Sequence, residues 1–294
     1  MFPAEIEHYF RPQSVGEIHK LLANYPEGDA TLIAGGQSLM QAIKSRMLRP
    51  VCLIDLQDVA DLQGIDNANG LTIGAMTRYA VIAGYDEIPV AYAAIRDAAS
   101  HVGDRQVRNR GTIGGSVCWN YVASCMPTVV LGTNGCLRIS GADGEVREVA
   151  ADDFFFGPFE TACGEDEILL SVSWPTPSGK SGSAYKKWGL ATDALPVVGM
   201  CVSLSLDGGN ICNDARVAIA GLADGGQLVT AGGAALLGFD GNPEAIGPVT
   251  AAVIDSVECQ SDHWASAVYR EQLIRNLGAE VIERAYQRAT AAQP

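Results

Sequence analysis

Long apolar runs are missing from this chain. No stretch approaches the roughly 18 consecutive apolar residues that a membrane-spanning helix requires, and Met1-Phe2-Pro3-Ala4-Glu5 has neither the basic start nor the apolar core of an export signal. A cytoplasmic location is expected. Basic residues are also scarce, 20 Lys and Arg against 34 Asp and Glu, and a net charge of −14 repels phosphate backbones and anionic lipid headgroups, so nucleic acid is excluded as a partner class. Only four histidines occur (His8, His19, His101, His263), and no two have metal-ligand spacing. The chain also lacks both G-x-G-x-x-G and G-x-x-x-x-G-K-[ST], which removes a Rossmann dinucleotide site and a Walker phosphate loop.

Eight cysteines are present, but Cys118, Cys125, Cys136 and Cys163 are separated by 7, 11 and 27 residues and match no compact iron–sulfur pattern. They read as mostly buried, reduced thiols, and no metal site is expected. The aromatic run Phe154-Phe155-Phe156 reads as packing at a domain seam, with a place beside a planar ligand as the alternative.

What is present is a 294-residue chain, 48% hydrophobic, long enough for two or three packed lobes. Ala30 to Ala34 and Val51 to Leu56 read as buried strands on either side of a helix-compatible stretch, Ser38 to Arg49, which makes a βαβ unit. A strand at Leu71 to Met76 follows. Val90, Ala94, Ile95, Ala98, Ala99 and Val102 then recur at helical spacing. Leu137 to Val149 reads as a hairpin turning at Gly141–Gly144, and Ile168 to Trp174 as a strand ended by Pro175. Beyond the Pro- and Gly-rich stretch 175–182, Val197 to Leu206 and Ala215 to Ala220 are strand-like. A final helix from about Trp264 to Thr290 aligns Val268, Leu273, Leu277, Val281 and Ala285. The chain therefore divides near residue 178.

Two glycine clusters remain: Ala34-Gly35-Gly36-Gln37-Ser38, between a strand and a helix, and Gly111-Thr112-Ile113-Gly114-Gly115-Ser116. Paired glycines at such a turn let the main chain approach a ligand and aim successive N–H groups at an anion. Ser38, Thr112 and Ser116 add small hydroxyl donors. Two such cradles suit a diphosphate held from opposite sides, and Arg105, Arg108 and Arg110 could supplement it. The alternative is that each pair only shapes a tight loop and the arginines are solvated.

The run Gly103 to Ser116 (GDRQVRNRGTIGGS), with Ala34 to Leu39 before it, resembles the FAD-binding medium subunit of molybdenum hydroxylases, the group that includes carbon monoxide, nicotine and quinoline dehydrogenases and the flavin region of xanthine dehydrogenase. Leu53 to Leu56, Ile73 to Thr77, Asp153 to Phe155 with Gly157 and Thr161, Glu167 to Leu170 with Pro175, and Ser266 to Arg270 extend the likeness nearly end to end. The resemblance implies an α+β protein. Its parts would be a PCMH-type α/β FAD-binding domain over 1–177, with subdomains of about 1–57 and 58–177, and a C-terminal α+β domain of the CO dehydrogenase flavoprotein type over 178–294.

By position, Ala34, Gly35, Gly36, Gln37 and Ser38 together with Thr112, Ile113, Gly114, Gly115 and Ser116 would hold the FAD diphosphate and ribityl, flanked by Ile33 and Gly111. Leu169 resembles a residue near the flavin, and Lys187, or its neighbour Lys186, a flavin-side lysine. The family often places an Asp ahead of a proline where this chain has Ser124-Cys125-Met126-Pro127, so a contact there must come from Ser124 or the backbone.

The resemblance also implies an oxidoreductase subunit that relays electrons. Substrate would react at a molybdenum cofactor in a large molybdopterin-binding subunit. Electrons would cross [2Fe-2S] clusters in a small subunit to FAD here and leave for an external acceptor, in a dimer of heterotrimers. No catalytic residue of its own is expected. The rivals are a self-contained FAD oxidase, for which the chain offers no base, and a non-redox module whose nucleotide site has decayed.

Overall fold

The computed structural model describes residues 4–292; Met1 to Pro3, read above for an export signal, lie outside the described residues. Three larger sheets follow one another along the chain, and a two-stranded one accompanies the second. The first unit comprises β1 (His8–Phe10), α1 (Val15–Leu22), β2 (Ala30–Ile33), α2 (Leu39–Lys44) and β3 (Cys52–Asp55). Its strands lie in the order β1-β3-β2, all parallel, so β2, α2 and β3 form the expected βαβ crossover. At α1, Ser14 Oγ accepts from Glu17 N–H while Glu17 Oε2 reaches back to Gln13 N–H, a reciprocal cap. Helix α2 is shorter than its sequence suggests. It stops at Lys44, Arg46 turns into the left-handed region, and the N–H groups of Met47 and Leu48 both close on Ala42 O.

The second unit contains β4 (Ile65–Asp66), β5 (Leu71–Gly74), α3 (Tyr79–Gly84), α4 (Ala93–His101), α5 (Arg105–Arg108), α6 (Ile113–Trp119), α7 (Cys125–Gly132), β6 (Cys136–Ser140), β7 (Val146–Ala150), β8 (Phe155–Gly157), β9 (Glu160–Thr161) and β10 (Ile168–Trp174). Five of its strands form an antiparallel sheet in the order β4-β5-β10-β6-β7, with β8 and β9 as a separate hairpin. Ala94, Ile95, Ala98 and Ala99 of α4 are buried as their spacing requires, whereas Val90, in a 3₁₀ turn ahead of the helix, is exposed.

The third unit is an antiparallel meander of β11 (Lys180–Trp188), β12 (Val198–Leu206), β13 (Cys212–Ala220) and β14 (Gln227–Leu228), followed by α8 (Thr230–Leu236), α9 (Ile246–Asp255) and α10 (Ala267–Ala291). Alternation splits its strands between two cores. Ala184, Met200, Val202, Val217 and Ile219 face α8, α9 and α10, while Tyr185, Cys201 and Ala218, adjacent across the strands, join the core of the second unit beneath α4 and α7. Burial on both faces explains why Val198–Leu206 is apolar with little alternation. Leu273, Leu277, Val281 and Ala285 line the buried stripe of α10, but Val268, in its first turn, is exposed.

Candidate flavin site at the junction of two glycine loops

The first glycine cluster connects β2 to α2, and its geometry is open. Gly36 adopts φ +71°, which suits glycine, and Gln37 and Ser38 are exposed. The N–H groups of Gly35, Gly36, Gln37 and Ser38 donate to no carbonyl among the described residues, and Ser38 Oγ caps nothing. Gln37 Nε2 bonds Gly35 O at 3.1 Å and steadies the turn. Ile33 ends the strand below, half-buried beside Leu39.

The second cluster lies directly against the first. A Cβ built on Gly35 would come within 2.1 Å of Arg110 O, and one on Gly115 within 3.2 Å of Ala34 Cβ. The two loops therefore touch backbone to backbone. Glycine at 35 is required by this contact.

The second loop is not a second open cradle, which corrects the expectation that both clusters aim free N–H groups at an anion. Gly111 N–H goes to Val107 O at 2.7 Å, Ile113 N–H to Thr77 O at 3.1 Å, Gly114 N–H to Ala75 O at 2.8 Å and Ser116 N–H to Thr112 O at 3.3 Å. Thr112, the N-cap of α6, takes Gly115 N–H on its Oγ1 at 3.1 Å. These bonds dock the loop onto the end of β5. Glycine is required at 114 by packing, because a Cβ would strike Ala75 O at 2.7 Å.

A cleft opens where the loops meet, lined by Ala34, Gly35, Gln57, Gln63, Arg78 and Arg110 together with the buried Met76 and Thr112. Three of the residues that furnish its polar groups, Gln57, Gln63 and Arg78, were missed from the sequence. They come from segments around β3 and β5 that carry no glycine signal. Of the three arginines ahead of the second loop, Arg110 faces this cleft, while Arg108 is spent on the carbonyls of Val102 and Gly103.

Tyr79 joins this region to the remaining candidates. Its buried ring packs against Gly111, its phenol is hydrogen-bonded by Ser116, and burial pushes its ionisation far above the ordinary tyrosine range. Cys125 lies beyond it, at the first position of α7, with its thiol against the phenol of the buried Tyr185. Lys187, two residues along β11, is held below the usual lysine range by burial; the nearby Cys125 and Asp193 oppose that shift and Arg108 adds to it. Its Nζ donates to Ala194 O. Lys186 points the other way, exposed and paired with Glu280 on α10, so the strand's alternation turns Lys187 inward and Lys186 outward. Ser124 N–H is taken by Tyr121 O at 2.8 Å, which leaves only its hydroxyl free to act. Leu169 is buried on β10 in the core that also contains Ile113 and Val117.

The eight cysteines divide evenly. Cys52, Cys125, Cys201 and Cys212 are buried, but Cys118, Cys136, Cys163 and Cys259 are partly exposed, more than expected. Phe154 is fully buried and packs edge-on against Phe155, whereas Phe156 is 67% exposed.

Residues 4–177 match the model of the FAD binding domain in molybdopterin dehydrogenase, and residues 183–285 match the CO dehydrogenase flavoprotein C-terminal domain. The chain belongs to the molybdopterin dehydrogenase FAD-binding family. Among its relatives, the glyceraldehyde dehydrogenase medium chain of Sulfolobus acidocaldarius is 31% identical, with 94% of this chain and 97% of the relative covered. The carbon monoxide dehydrogenase medium chain of Afipia carboxidovorans is 30% identical over 98% and 99%.

Solved structures agree with this family assignment. A chain of carbon monoxide dehydrogenase from Hydrogenophaga pseudoflava superposes with a TM-score of 0.90 at 30% identity, covering 98% of this chain and 99% of that one. Quinoline 2-oxidoreductase from Pseudomonas putida gives 0.88 at 28% identity, covering 98% and 99%. The α+β architecture is thus that of a CO dehydrogenase medium subunit, and both glycine loops of this FAD-binding family member fall within its matched FAD domain.

Proposed function

We propose that this chain is the flavin subunit of a heterotrimeric molybdenum hydroxylase, accepting electrons from [2Fe-2S] clusters of a small subunit and passing them to an external acceptor. The observation that carries this reading is the open row of N–H groups from Gly35 to Ser38, set against Arg110 and Arg78 across a cleft. Adjacent N–H donors and two guanidinium groups suit a diphosphate, and a diphosphate is what FAD brings.

The residues present fit that cofactor in distinct ways. Ala34, Gly35, Gly36, Gln37 and Ser38 would bind the diphosphate through their main chain and hydroxyl. Gly111, Thr112, Ile113, Gly114, Gly115 and Ser116 would support them as a rigid second wall, with Ile33 behind. Leu169, Lys187 and Ser124 would lie toward the isoalloxazine. Bound FAD supplies redox chemistry that the twenty side chains lack. The protein's share is to hold it, shield it from water and present it to partners.

The assembly is read from the relatives, whose names describe medium chains and subunits of dehydrogenase complexes. A large molybdopterin-binding subunit, a small [2Fe-2S] subunit and a cytoplasmic dimer of heterotrimers complete the proposal, with the FAD domain spanning 1–177 and the C-terminal domain 178–294. No helix among the described residues is long and apolar enough to cross a membrane. The test is flavin analysis of the purified protein, alone and in complex. Acid release should yield about one noncovalent FAD per chain; recovery of FMN, or of no flavin, would overturn the reading.

A further inference from the structure

Gln57 and Gln63 bring two side-chain amides to the cleft, and each amide is held by one end. Asp55 closes β3 opposite Ile33, the residue that leads into the first glycine loop, and is only 5% exposed. Its carboxylate collects three donors: Gln57 N–H on Oδ1 at 3.0 Å, and both Gln57 Nε2 and the Tyr9 hydroxyl on Oδ2. Tyr9 comes from β1, the neighbour of β3 in the sheet. Gln63 Nε2 in turn donates to Gln57 O at 3.0 Å.

These partners decide which way each amide faces. Carboxylate and carbonyl oxygens only accept, so the nitrogen end of each glutamine is the end they hold. The oxygen ends, Gln57 Oε1 and Gln63 Oε1, accept no hydrogen bond among the described residues. The backbone on either side of Gln63 is fixed as well. Leu62 O takes Met76 N–H at 2.7 Å, and Gly64 exchanges two bonds with Thr77 Oγ1, of 3.0 and 2.9 Å, immediately before Arg78.

The cleft therefore has two chemically different walls. Gly35 to Ser38, Arg78 and Arg110 offer N–H donors, whereas the glutamine wall offers amide oxygens. An ionised diphosphate has nothing to donate and is disfavoured beside such oxygens. The isoalloxazine has a single ring N–H, set between two carbonyls. The adenosine half of FAD carries a ribose diol and an amino group, and is the part of the cofactor that answers a wall of acceptors.

We propose that Gln57 and Gln63 are specificity-determining residues that accept hydrogen bonds from the adenosine half of FAD, and that Asp55, braced by Tyr9, is a positioning residue that keeps the Gln57 oxygen turned toward the cofactor. The proposal rests on the FAD reading above and goes further, because it gives the site a means of preferring FAD to FMN. FMN lacks the adenosine and leaves both oxygens unanswered. A site built to hydrogen-bond a ligand's hydroxyl or amino group discriminates against the analogue without it.

The experiment is titration of the flavin-stripped full chain with FAD and, separately, with FMN, followed by flavin fluorescence. The unmodified protein should bind FAD more tightly than FMN. Gln57→Leu and Gln63→Leu should each weaken FAD about tenfold and leave FMN unchanged. Asp55→Asn keeps a residue able to cap the turn after β3 but removes one of the two acceptors, so it should weaken FAD by a similar factor, again without effect on FMN. A purely structural defect would lower both flavins together. Equal losses for FAD and FMN, FMN bound as tightly as FAD by the unmodified protein, or unchanged FAD affinity in Gln63→Leu would overturn the proposal while leaving the flavin-subunit reading intact. Gln63 is exposed, so that variant decides the matter even where Asp55→Asn folds poorly. Failure of the unmodified protein to bind either flavin would overturn both readings.

Discussion

Asp97 of α4 receives both terminal nitrogens of Arg288 of α10, Nη1 at 2.6 Å and Nη2 at 2.9 Å, and so clamps the FAD-binding region to the C-terminal helix. Arg284 Nη2 at 3.0 Å and Tyr185 N–H at 3.2 Å complete its shell, and Asp97 is only 7% exposed. A carboxylate this buried survives because every bond it loses from water is replaced. Asp97→Ala would leave the half-buried Arg288 with Ser183 O but no counter-charge, and the buried Tyr185 amide without its acceptor. It should lower stability by about 3 kcal/mol, read from urea unfolding. Arg284→Ala, on the more exposed partner, should cost less than about 1 kcal/mol. Equal losses would mean that the bidentate pair has no special weight.

The two glycine loops should fail differently. Gly36→Val adds a branched side chain at φ +71° in the open loop and should strip the flavin from a protein that still folds. Gly114→Val drives a side chain into Ala75 backbone and should reduce folded yield and melting temperature before any effect on flavin can be seen. Flavin absorbance and circular dichroism on both variants separate the two outcomes.

How much of this was legible beforehand depends on the kind of signal. The βαβ crossover, the strand ended by Pro175 and the buried stripe of α10 follow from periodicity and punctuation, which are local. The fate of N–H groups is not local. Nothing in Thr112 to Ser116 reveals that Ala75 and Thr77 wait to accept hydrogen bonds, so the second loop looked like an open cradle although most of its N–H groups are already bonded within the protein. Gln57, Gln63 and Arg78 escaped for the same reason, since polar residues after strands are common and only the tertiary approach of three segments makes a cleft of them. That Lys187 turns inward and Lys186 outward needed the strand's register. The family resemblance supplied positions for the flavin. It could not say which groups in those positions were already committed.

Arg78 should matter to cofactor retention. If its guanidinium and that of Arg110 flank the diphosphate, Arg78→Gln removes one charge-assisted contact and should weaken FAD binding by about 2 kcal/mol, roughly thirtyfold in Kd. Fluorescence titration of the flavin-stripped protein measures it. The loss should shrink at high salt, and an unchanged Kd would remove Arg78 from the site.

Lys187 carries a pH signature. Its folded-state ionisation lies below the unfolded value because burial disfavours the charge, so the unfolded chain binds the extra proton. Stability should therefore rise with pH through the window between the lowered folded value and the ordinary lysine range near 10.4. Lys187→Met should abolish that rise and increase stability below the window. Denaturant titrations from neutral to alkaline pH, compared with Lys186→Met as a surface control, check the sign.

The last prediction concerns what the chain does alone. Among the described residues the proposed FAD site has phosphate-binding groups but no metal set and no nucleophile with an adjacent base, and Lys187 is tied to a carbonyl. Cys125 is buried against a phenol and pushed upward by burial, so it stays protonated near neutral pH and has no free thiolate to take a proton. The isolated protein should therefore leave N-heterocycles, aldehydes and carbon monoxide unchanged while its flavin still bleaches with a chemical reductant. Adding the molybdenum and iron–sulfur subunits should bring substrate-dependent bleaching. Rapid bleaching by the chain alone would favour a self-contained oxidase and would place a base in the cleft that this geometry does not provide. Bleaching confined to the complex would leave electron delivery from docked partners as the way this flavin is reduced.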